Sequence, residues 1–363
     1  MSFLKVTRNW YSRFERPISS ASLVFGFIFD ALTLRRVDTL WENLWIVAHL
    51  LIVGLFIILV QIRERQSGDE KNPSKIHFYF VNVLQFFFGG LLSTYLVFYF
   101  RSADVFVAWP FILLLILAFI ANESLKRHYV RFSFQISLFF LSIYLFLIFL
   151  VPVVLHKIGD WVFLLSGFLS LIFILFFVTF LYNVTKNRFK SNLKKIVFLI
   201  SGIFITINFL YFTNIIPPIP LSLKEAGVYH SVMRNGSGDY VVATENAGWL
   251  SYFKMYQDFN KVSGSPVYVY SAIFSPKNLN LTIIHQWQYF DSIKNKWITD
   301  SEINLPVVGG RDGGFRTYSM RSNLPAGKWR VNVKTLYGQN IGTIHFKIIS
   351  TDTMPVVVSE VKK

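Results

Sequence analysis

The feature that most constrains this chain is a series of long apolar runs, all of which precede Pro217. A helix needs about 20 consecutive apolar residues to cross the hydrocarbon core of a membrane. Seven runs approach or exceed that length, namely Ile18–Leu34, Leu44–Ile62, Phe78–Phe100, Val105–Leu125, Phe132–Leu155, Val162–Tyr182 and Ile196–Ile216. Only 15% of all residues are charged, against about 25% in soluble globular proteins. We therefore predict a bundle of seven transmembrane helices in a lipid bilayer.

The basic residues between these runs predict the orientation of the bundle. The N-terminal tail and the loops after the second, fourth and sixth runs hold sixteen Lys and Arg residues, against four in the alternate loops. Lys and Arg are retained in the cytoplasm during membrane insertion. We therefore expect a bacterial inner-membrane protein with a cytoplasmic N-terminus and a periplasmic C-terminal region. Because most of the net charge of +16 is scattered over short membrane loops, with a mildly basic C-terminal domain supplying the rest, we expect no nucleic-acid partner.

A proline-rich stretch marks where the chain leaves the membrane. Pro217, Pro218 and Pro220 follow the seventh run, and proline cannot continue a helix. We therefore divide the chain into a transmembrane domain over residues 1–216, an exit linker over 217–227 and a periplasmic domain over 228–363.

The C-terminal domain is predicted to be all-β and sandwich-like. Four segments alternate apolar with polar residues or are rich in β-branched and aromatic residues, and they are Val267–Phe274, Leu281–Tyr289, Lys328–Thr335 and Ile341–Ile349. A two-residue period indicates strands with one buried face. Glycine-containing turn signals separate these segments, as is typical of an antiparallel sandwich.

The residue types exclude several kinds of chemistry. The chain has no cysteine, which removes disulfides, thiolate metal sites and cysteine nucleophiles together. It contains neither a Gly-x-Ser-x-Gly nor a His-Glu-x-x-His motif. We therefore predict no cofactor, no metal site and no catalytic residues, and favour a non-enzyme. A catalytic triad assembled from distant residues stays open as an alternative.

Polar residues inside the apolar runs are the first candidate site. Asp30, Asn82, Gln85 and Glu123 lie within or near predicted helices, where ionisable groups are costly and usually face a bundle interior or a cavity. The functional interpretation is a proton or substrate path. The structural interpretation, which we favour, is that these side chains bond to neighbouring helices or lie near helix ends.

A second candidate lies on a predicted strand of the C-terminal domain. His285 and Trp287 form a platform for a sugar or peptide if they point outward. Alternation places them on the face shared with Leu281 and Ile283, however, so packing in the core is the better interpretation.

A glycine-rich segment is the third candidate. Gly309, Gly310, Gly313 and Gly314 allow the backbone to approach a partner closely, and the guanidinium groups of Arg311 and Arg316, with Asp312 between them, suit a carboxylate or phosphate. The alternative is a hairpin loop or bulge with an internal Arg–Asp pair.

Several short motifs together resemble a known family. They are the run from Ile219 to His230, His285-x-Trp287, Gly309-Gly-Arg311, Arg316-x-Tyr318-Ser319, Trp329-Arg-Val331, Gly338-Gln339 and Ile341-Gly342. This set resembles bacterial membrane proteins of domain-of-unknown-function family 2914, over about Val267 to Ile349. The resemblance implies a Gram-negative envelope protein with a β-sandwich tail, and it implies no activity.

Two functions follow from these observations. The first is a membrane-anchored envelope protein whose β domain recognises a protein, a glycan or peptidoglycan. The second is a transporter or a lipid- or glycan-modifying enzyme with its site among the helices, because seven helices exceed what an anchor needs. The oligomeric state stays open.

The charge asymmetry predicts the outcome of reporter fusions. A reporter that is active only outside the cytoplasm is expected to work after Lys363 and to fail at Ser67, because the two positions lie on opposite sides of the membrane in a seven-helix topology. An inactive Lys363 fusion together with an active Ser67 fusion would contradict this orientation.

Overall fold

The computed structural model describes residues 24–34, 36–67, 75–124, 131–236, 238–245, 254–311 and 313–362. Its helices are α1 Val24–Thr33, α2 Leu40–Ser67, α3 Lys75–Arg101, α4 Val105–Ser124, α5 Phe132–Leu155 and α6 Asp160–Phe212. The chain forms two compact units. The helical unit contains most of the helices, and the β unit contains residues 214–363 together with the short segments 102–108 and 155–159.

Helix α6 accounts for both the sixth and the seventh predicted helix. Element α6 covers Asp160–Phe212, and one straight helix of this length would hold its ends about 80 Å apart. Yet the rings of Phe163 and Tyr211 stack with centroids 3.6 Å apart, and the Tyr211 hydroxyl donates to Asp160 Oδ1 at 3.1 Å. The chain therefore reverses direction within α6 to give two antiparallel arms.

Six segments of the described chain are long and apolar enough to cross a membrane, and they are Leu40–Arg63, Tyr79–Arg101, Val105–Asn122, Phe132–Leu155, Asp160–Asn183 and Ser191–Phe212. They correspond to the second to seventh predicted runs. The first run is represented by α1, an apolar helix that is shorter than a membrane span; residues 18–23 of that run lie outside the described part. The described part of the chain therefore has seven helical segments, six of them of spanning length, as expected for a multi-pass membrane protein.

The surface of the helical unit is apolar, and its interior contains paired polar groups. Phe86, Phe176 and Phe198 are each about three-quarters exposed, which suits contact with lipid. Inside, Gln61 Nε2 donates to Gln135 Oε1 at 2.9 Å, although both side chains are fully buried. Such interhelical hydrogen bonds satisfy polar groups that lipid cannot.

The β unit has eleven strands in the described chain. They are β1 Ser222–Tyr229, β2 Ser231–Arg234, β3 Tyr240–Glu245, β4 Gln257–Lys261, β5 Val267–Phe274, β6 Leu281–Asp291, β7 Lys296–Val307, β8 Phe315–Arg321, β9 Gly327–Thr335, β10 Asn340–Ser350 and β11 Val357–Lys362. The four predicted strands coincide with β5, β6, β9 and β10. Strand β1 begins inside the predicted linker 217–227, so the exit from α6 is shorter than predicted.

These strands form three sheets. A five-stranded sheet has the order β4-β10-β9-β6-β7, and two three-stranded sheets have the orders β1-β5-β8 and β11-β3-β2. All pairs are antiparallel except β4 with β10. Strand β9 lies at the centre of the five-stranded sheet, between β10 and β6.

The main core lies between the five-stranded sheet and the β1-β5-β8 sheet. Trp287, Trp329 and Val331 from the first sheet pack with Val269 and Ile273 from the second, and all five are essentially buried. Two sheets that share one apolar core are held together mainly by the burial of that surface. This confirms a β-rich C-terminal region built from packed sheets.

The third sheet covers the opposite face of β5. Tyr270 and Ala272 point away from the main core and pack with Val232 and Val242 of the β11-β3-β2 sheet. The β unit therefore has three layers, with β1-β5-β8 in the middle. The third layer was not predicted, because β2, β3 and β11 are short and lack a strong alternation.

Two short segments between helices belong to the β unit. Ile158, between α5 and α6, packs against the main core. Asp104, between α3 and α4, accepts hydrogen bonds from Asn340 and Thr343 of β10 through Oδ2. Segments that fold into one compact unit lie on one side of any membrane that the helices cross.

The core assignment predicts the effect of one substitution. In a fragment of residues 214–363, Trp329→Ala is expected to lower the free energy of unfolding by about 3–5 kcal/mol, because it removes a buried indole and leaves a cavity. The side chain is 1% exposed and its Nε1 donates to Pro325 O at 2.9 Å. Urea denaturation followed by circular dichroism measures the change. An unchanged midpoint would mean that β9 presents its other face to the core.

Candidate functional site

The candidate site is the face of the five-stranded sheet that points away from the main core, which we call the outer face. On β9, Trp329, Val331 and Val333 are buried in the core, so Arg330 and Lys334 project from the opposite side. The outer face consists of Ile284, Gln286, Gln288 and Phe290 on β6, Trp297, Thr299, Glu302 and Asn304 on β7, Lys328, Arg330, Asn332 and Lys334 on β9, and Thr343, His345 and Lys347 on β10.

Strand register aligns these side chains in rows across the sheet. Arg330 lies opposite His345 of β10 and opposite Gln288 of β6. One row further on, Asn332 lies between its own partners on the same two strands, Thr343 and Gln286. Directly opposed side chains on neighbouring strands have Cβ atoms about 5 Å apart, so each row is one connected set of polar groups.

Two glutamines hold the basic side chains of β9 in place. Gln288 Oε1 accepts from Arg330 Nε at 2.7 Å and from Asn332 Nδ2 at 3.1 Å. Gln286 Oε1 accepts from Lys334 Nζ at 2.7 Å and from Asn332 Nδ2 at 3.1 Å. Both amide carbonyls therefore point toward β9, where the positive charges lie.

The amide nitrogens of the same glutamines point toward β7. Gln286 Nε2 donates to Glu302 Oε1 at 2.7 Å, and Gln288 Nε2 donates to Thr299 Oγ1 at 3.0 Å. The amide dipoles are thus aligned across the sheet, and this fixed network orders the basic groups before any ligand arrives.

Aromatic rings flank the basic groups. The guanidinium carbon of Arg330 lies 4.4 Å from the centroid of the Trp297 ring. Lys328 Nζ lies 5.4 Å from the Tyr256 ring and 5.9 Å from the Phe290 ring. Such cation–π contacts restrict the cations without neutralising their charge.

Arg330 and Lys334 lack an ion-pair partner among the described residues, although both are half-buried. Burial lowers the pKa of Lys334, and the more distant charge of Glu302 only partly offsets this. Elsewhere in the β unit, Arg316, Arg321 and Lys362 each pair with a carboxylate. Removing a cation from water without a counter-ion is costly, and the charges of Asp104 near Arg330 and of Glu302 near Lys334 offset this cost only in part.

One carboxylate at the edge of the outer face is already engaged. Asp104 Oδ1 accepts from the Phe106 backbone N–H, which caps the start of α4, while Oδ2 accepts from Asn340 and Thr343. Burial and the nearby Arg330 charge both lower the pKa of His345. The face as a whole is therefore positive, with Lys328, Arg330, Lys334 and Lys347 as its cations.

His285 and Trp287 lie in the main core rather than at a surface. Both side chains have 0% exposure. His285 Nε2 is 2.9 Å from Ser271 Oγ and Nδ1 is 2.8 Å from Ser319 Oγ, which also accepts from Trp287 Nε1 at 3.1 Å. Burial lowers the pKa of His285 to about 3. This network joins the two sheets of the core, and neither ring can stack on a ligand of the folded domain.

The two arginines of the glycine-rich segment have different environments. Arg316 is 8% exposed, and its Nη1 donates to Asp239 Oδ1 at 3.0 Å and to Lys362 O at 2.7 Å. It therefore connects β8 to the third sheet and is unavailable to a partner. Arg311 is exposed, and Asp312 lies outside the described residues.

The glycines of this segment permit close backbone packing. A Cβ at Gly309 would lie 1.9 Å from Pro276 O, and one at Gly314 would lie 2.9 Å from the Ile273 backbone. Gly310 and Gly314 also have φ values of 103° and 87°, which favour glycine. The glycines therefore seat the segment against residues 273–280, which accounts for their presence without a ligand.

The intramembrane candidates are only partly brought together. Ser93 Oγ donates to Asp30 Oδ2 at 2.5 Å, which joins α3 to α1. Gln85 instead donates to Asn122 O at 3.1 Å on the facing helix. Asn82 is half-buried on α3. The side chain of Glu123 lies outside the described part.

Sequence reasoning missed the outer face, although the alternation contained the signal. The pattern that predicted buried Trp329, Val331 and Val333 also placed Arg330, Asn332 and Lys334 on one exposed stripe. What sequence could not provide was the strand order, which sets Gln286 and Gln288 beside that stripe and brings Trp297 over Arg330.

Comparisons with known proteins identify one domain. Residues 280–348 match a family described as Protein of unknown function (DUF2914), which confirms the predicted resemblance for this region. No curated protein matches the chain. One solved structure that aligns with this chain is that of Pseudomonas fluorescens alkylpurine DNA glycosylase AlkC bound to DNA containing an abasic site analog. The alignment covers 86% of this chain and 99% of the glycosylase chain, at 9% sequence identity and a TM-score of 0.22.

Burial of His285 predicts a pH dependence of stability. Its pKa is about 3 in the folded state and about 6.5 in an unfolded chain, so unfolding takes up a proton below pH 6.5. The stabilisation is complete above that pH and is lost as pH falls toward 3, by about 2 kcal/mol at pH 5. Urea denaturation of residues 214–363 at pH 7.5 and pH 5 measures this. His285→Gln should remove that share of the dependence; an identical dependence in the variant would contradict the assignment.

Proposed function

We propose that this chain is an integral inner-membrane protein of a Gram-negative bacterium that holds its β unit in the periplasm and uses the outer face to recognise an envelope component. The observation that supports this best is the set of half-buried, unneutralised cations on β9. Nothing in the packing of the domain requires them, because the core lies on the other side of the sheet.

Two independent features support the orientation. Basic residues concentrate in the loops that a cytoplasmic N-terminus places inside. The segments 102–108 and 155–159, which this orientation places outside, belong to the same compact unit as the C-terminal strands. The compact unit supports a shared side for these segments and the C-terminal strands, and the charge asymmetry favours the periplasm for that side.

The outer face is a better recognition surface than the glycine-rich segment. Arg330 and Lys334 are held in position by Gln288 and Gln286, so little conformational entropy is lost when they bind a ligand. In the glycine-rich segment only Arg311 is exposed, since Arg316 is committed to Asp239.

Sedimentation with a washed envelope fraction tests the proposal. The purified full-length chain in detergent is expected to sediment with this material, and Arg330→Gln combined with Lys334→Gln should weaken binding about a hundredfold, since each charge-assisted contact contributes roughly 1.5–3 kcal/mol. Arg311→Gln is the matched control, because it removes an arginine of the β unit that lies away from the outer face.

The control also separates the two surfaces. If Arg311→Gln abolishes sedimentation while the β9 double variant binds like wild type, recognition belongs to the glycine-rich segment. Melting temperatures of both variants should stay near that of wild type. Arg316→Ala, in contrast, should lower the melting temperature because it breaks a largely buried ion pair.

A second candidate function places the site among the helices. The hydrogen bond between Ser93 and Asp30, close to His49, links α1, α2 and α3 through polar groups, and such groups within a membrane frequently mark a transport path. Because the chain has no cysteine, Asn82→Cys provides a single reactive thiol. Its modification by a small water-soluble reagent would favour a water-filled path and a transporter, whereas an unreactive thiol favours the anchor.

A further inference from the structure

We propose that the outer face binds an acidic glycan, a polysaccharide whose sugar rings carry carboxylates, laid along strand β9. This rests on the proposed function, because it names the ligand class for the same face. It follows from three properties of the face that occur together: a row of cations, a set of ordered amides and half-buried aromatic rings beside them.

The spacing of the cations suits an extended anionic ligand better than a single ion. Lys328, Arg330 and Lys334 lie on the same side of one strand, and six residues of strand span about 20 Å. Lys347 lies directly opposite Lys328 on β10 and widens the positive row at one end. A ligand that meets all four cations must therefore carry several charges at intervals along its length.

The ordered amides favour a ligand rich in hydroxyl groups. Gln286, Gln288 and Asn332 are fixed by one another, and Thr299 and Glu302 continue the network onto β7. Groups that are already oriented can exchange hydrogen bonds with sugar hydroxyls at little cost in entropy. A face that bound only phosphate or carboxylate would need donors alone, whereas this one also presents an acceptor, the exposed carboxylate of Glu302, beside the largely buried amides of Gln288 and Asn332.

The aromatic rings favour sugar rings over a plain polyanion. Tyr256 and Phe290 flank Lys328 at one end of the row, and Trp297 lies against Arg330. The C–H faces of a sugar ring pack against aromatic surfaces, while a chain of phosphates has no such face. The planar guanidinium of Arg330 also offers paired donors that match a carboxylate.

Equilibrium binding of the full-length chain in detergent micelles tests the proposal. The probes are polygalacturonate, a linear carboxylate-bearing polysaccharide; dextran, a neutral one; and polyphosphate, an anion without rings. We expect polygalacturonate to bind more tightly than both. Arg330→Gln and Lys334→Gln should each weaken it about tenfold or more, Tyr256→Leu should also weaken it, and Arg311→Gln should leave it unchanged.

Two results would overturn the proposal. Polygalacturonate binding no tighter than dextran would exclude an acidic glycan. Polyphosphate binding that equals polygalacturonate binding, with no effect of Tyr256→Leu, would show a general polyanion surface. In either case, sedimentation with envelope material that still depends on Arg330 and Lys334 would leave the proposed function standing, so the two failures are distinguishable.

Discussion

The alternation of β9 is the constraint on which the β unit depends. Its inward side chains, Trp329, Val331 and Val333, hold the five-stranded sheet against the β1-β5-β8 sheet. A slip of one residue would reverse every side chain on the strand and drive Arg330 and Lys334 into the core. The same register that stabilises the sandwich therefore forces the basic residues onto the outer face, where the neighbouring glutamines order them.

A different constraint governs the helical unit, because lipid cannot satisfy polar groups. Its buried polar side chains bond across helices, as Tyr95 does to Ser142 O at 2.7 Å and Asn208 does to the Tyr144 hydroxyl at 3.1 Å. The two arms of α6 stack through Phe163 and Tyr211. These contacts are sufficient to build a bundle, and they explain several intramembrane polar residues without transport or catalysis.

Sequence reasoning was most successful where a local pattern of apolar residues decides the structure. The long apolar runs predicted the six segments that are long enough to cross a membrane. The alternation of apolar and polar residues predicted β5, β6, β9 and β10. It failed where distant segments cooperate. The third sheet and the ion pair that commits Arg316 to Asp239 both depend on contacts that no local pattern contains. From the sequence, Arg316 is a candidate for either recognition or a structural pair, because the sequence does not reveal its partner, which lies 77 residues away.

The central claim is that the outer face lies outside the cytoplasm and is covered by an envelope component. Asn304, exposed on β7 in the row of Lys334, gives the most direct test as Asn304→Cys, because the chain has no other cysteine. A membrane-impermeant maleimide should label this thiol in spheroplasts, and added envelope material should slow the labelling. The control is Ser322→Cys, also at an exposed position, whose labelling rate should not change when envelope material is added. Labelling only after the inner membrane is permeabilised, or equal slowing at both positions, would contradict the account.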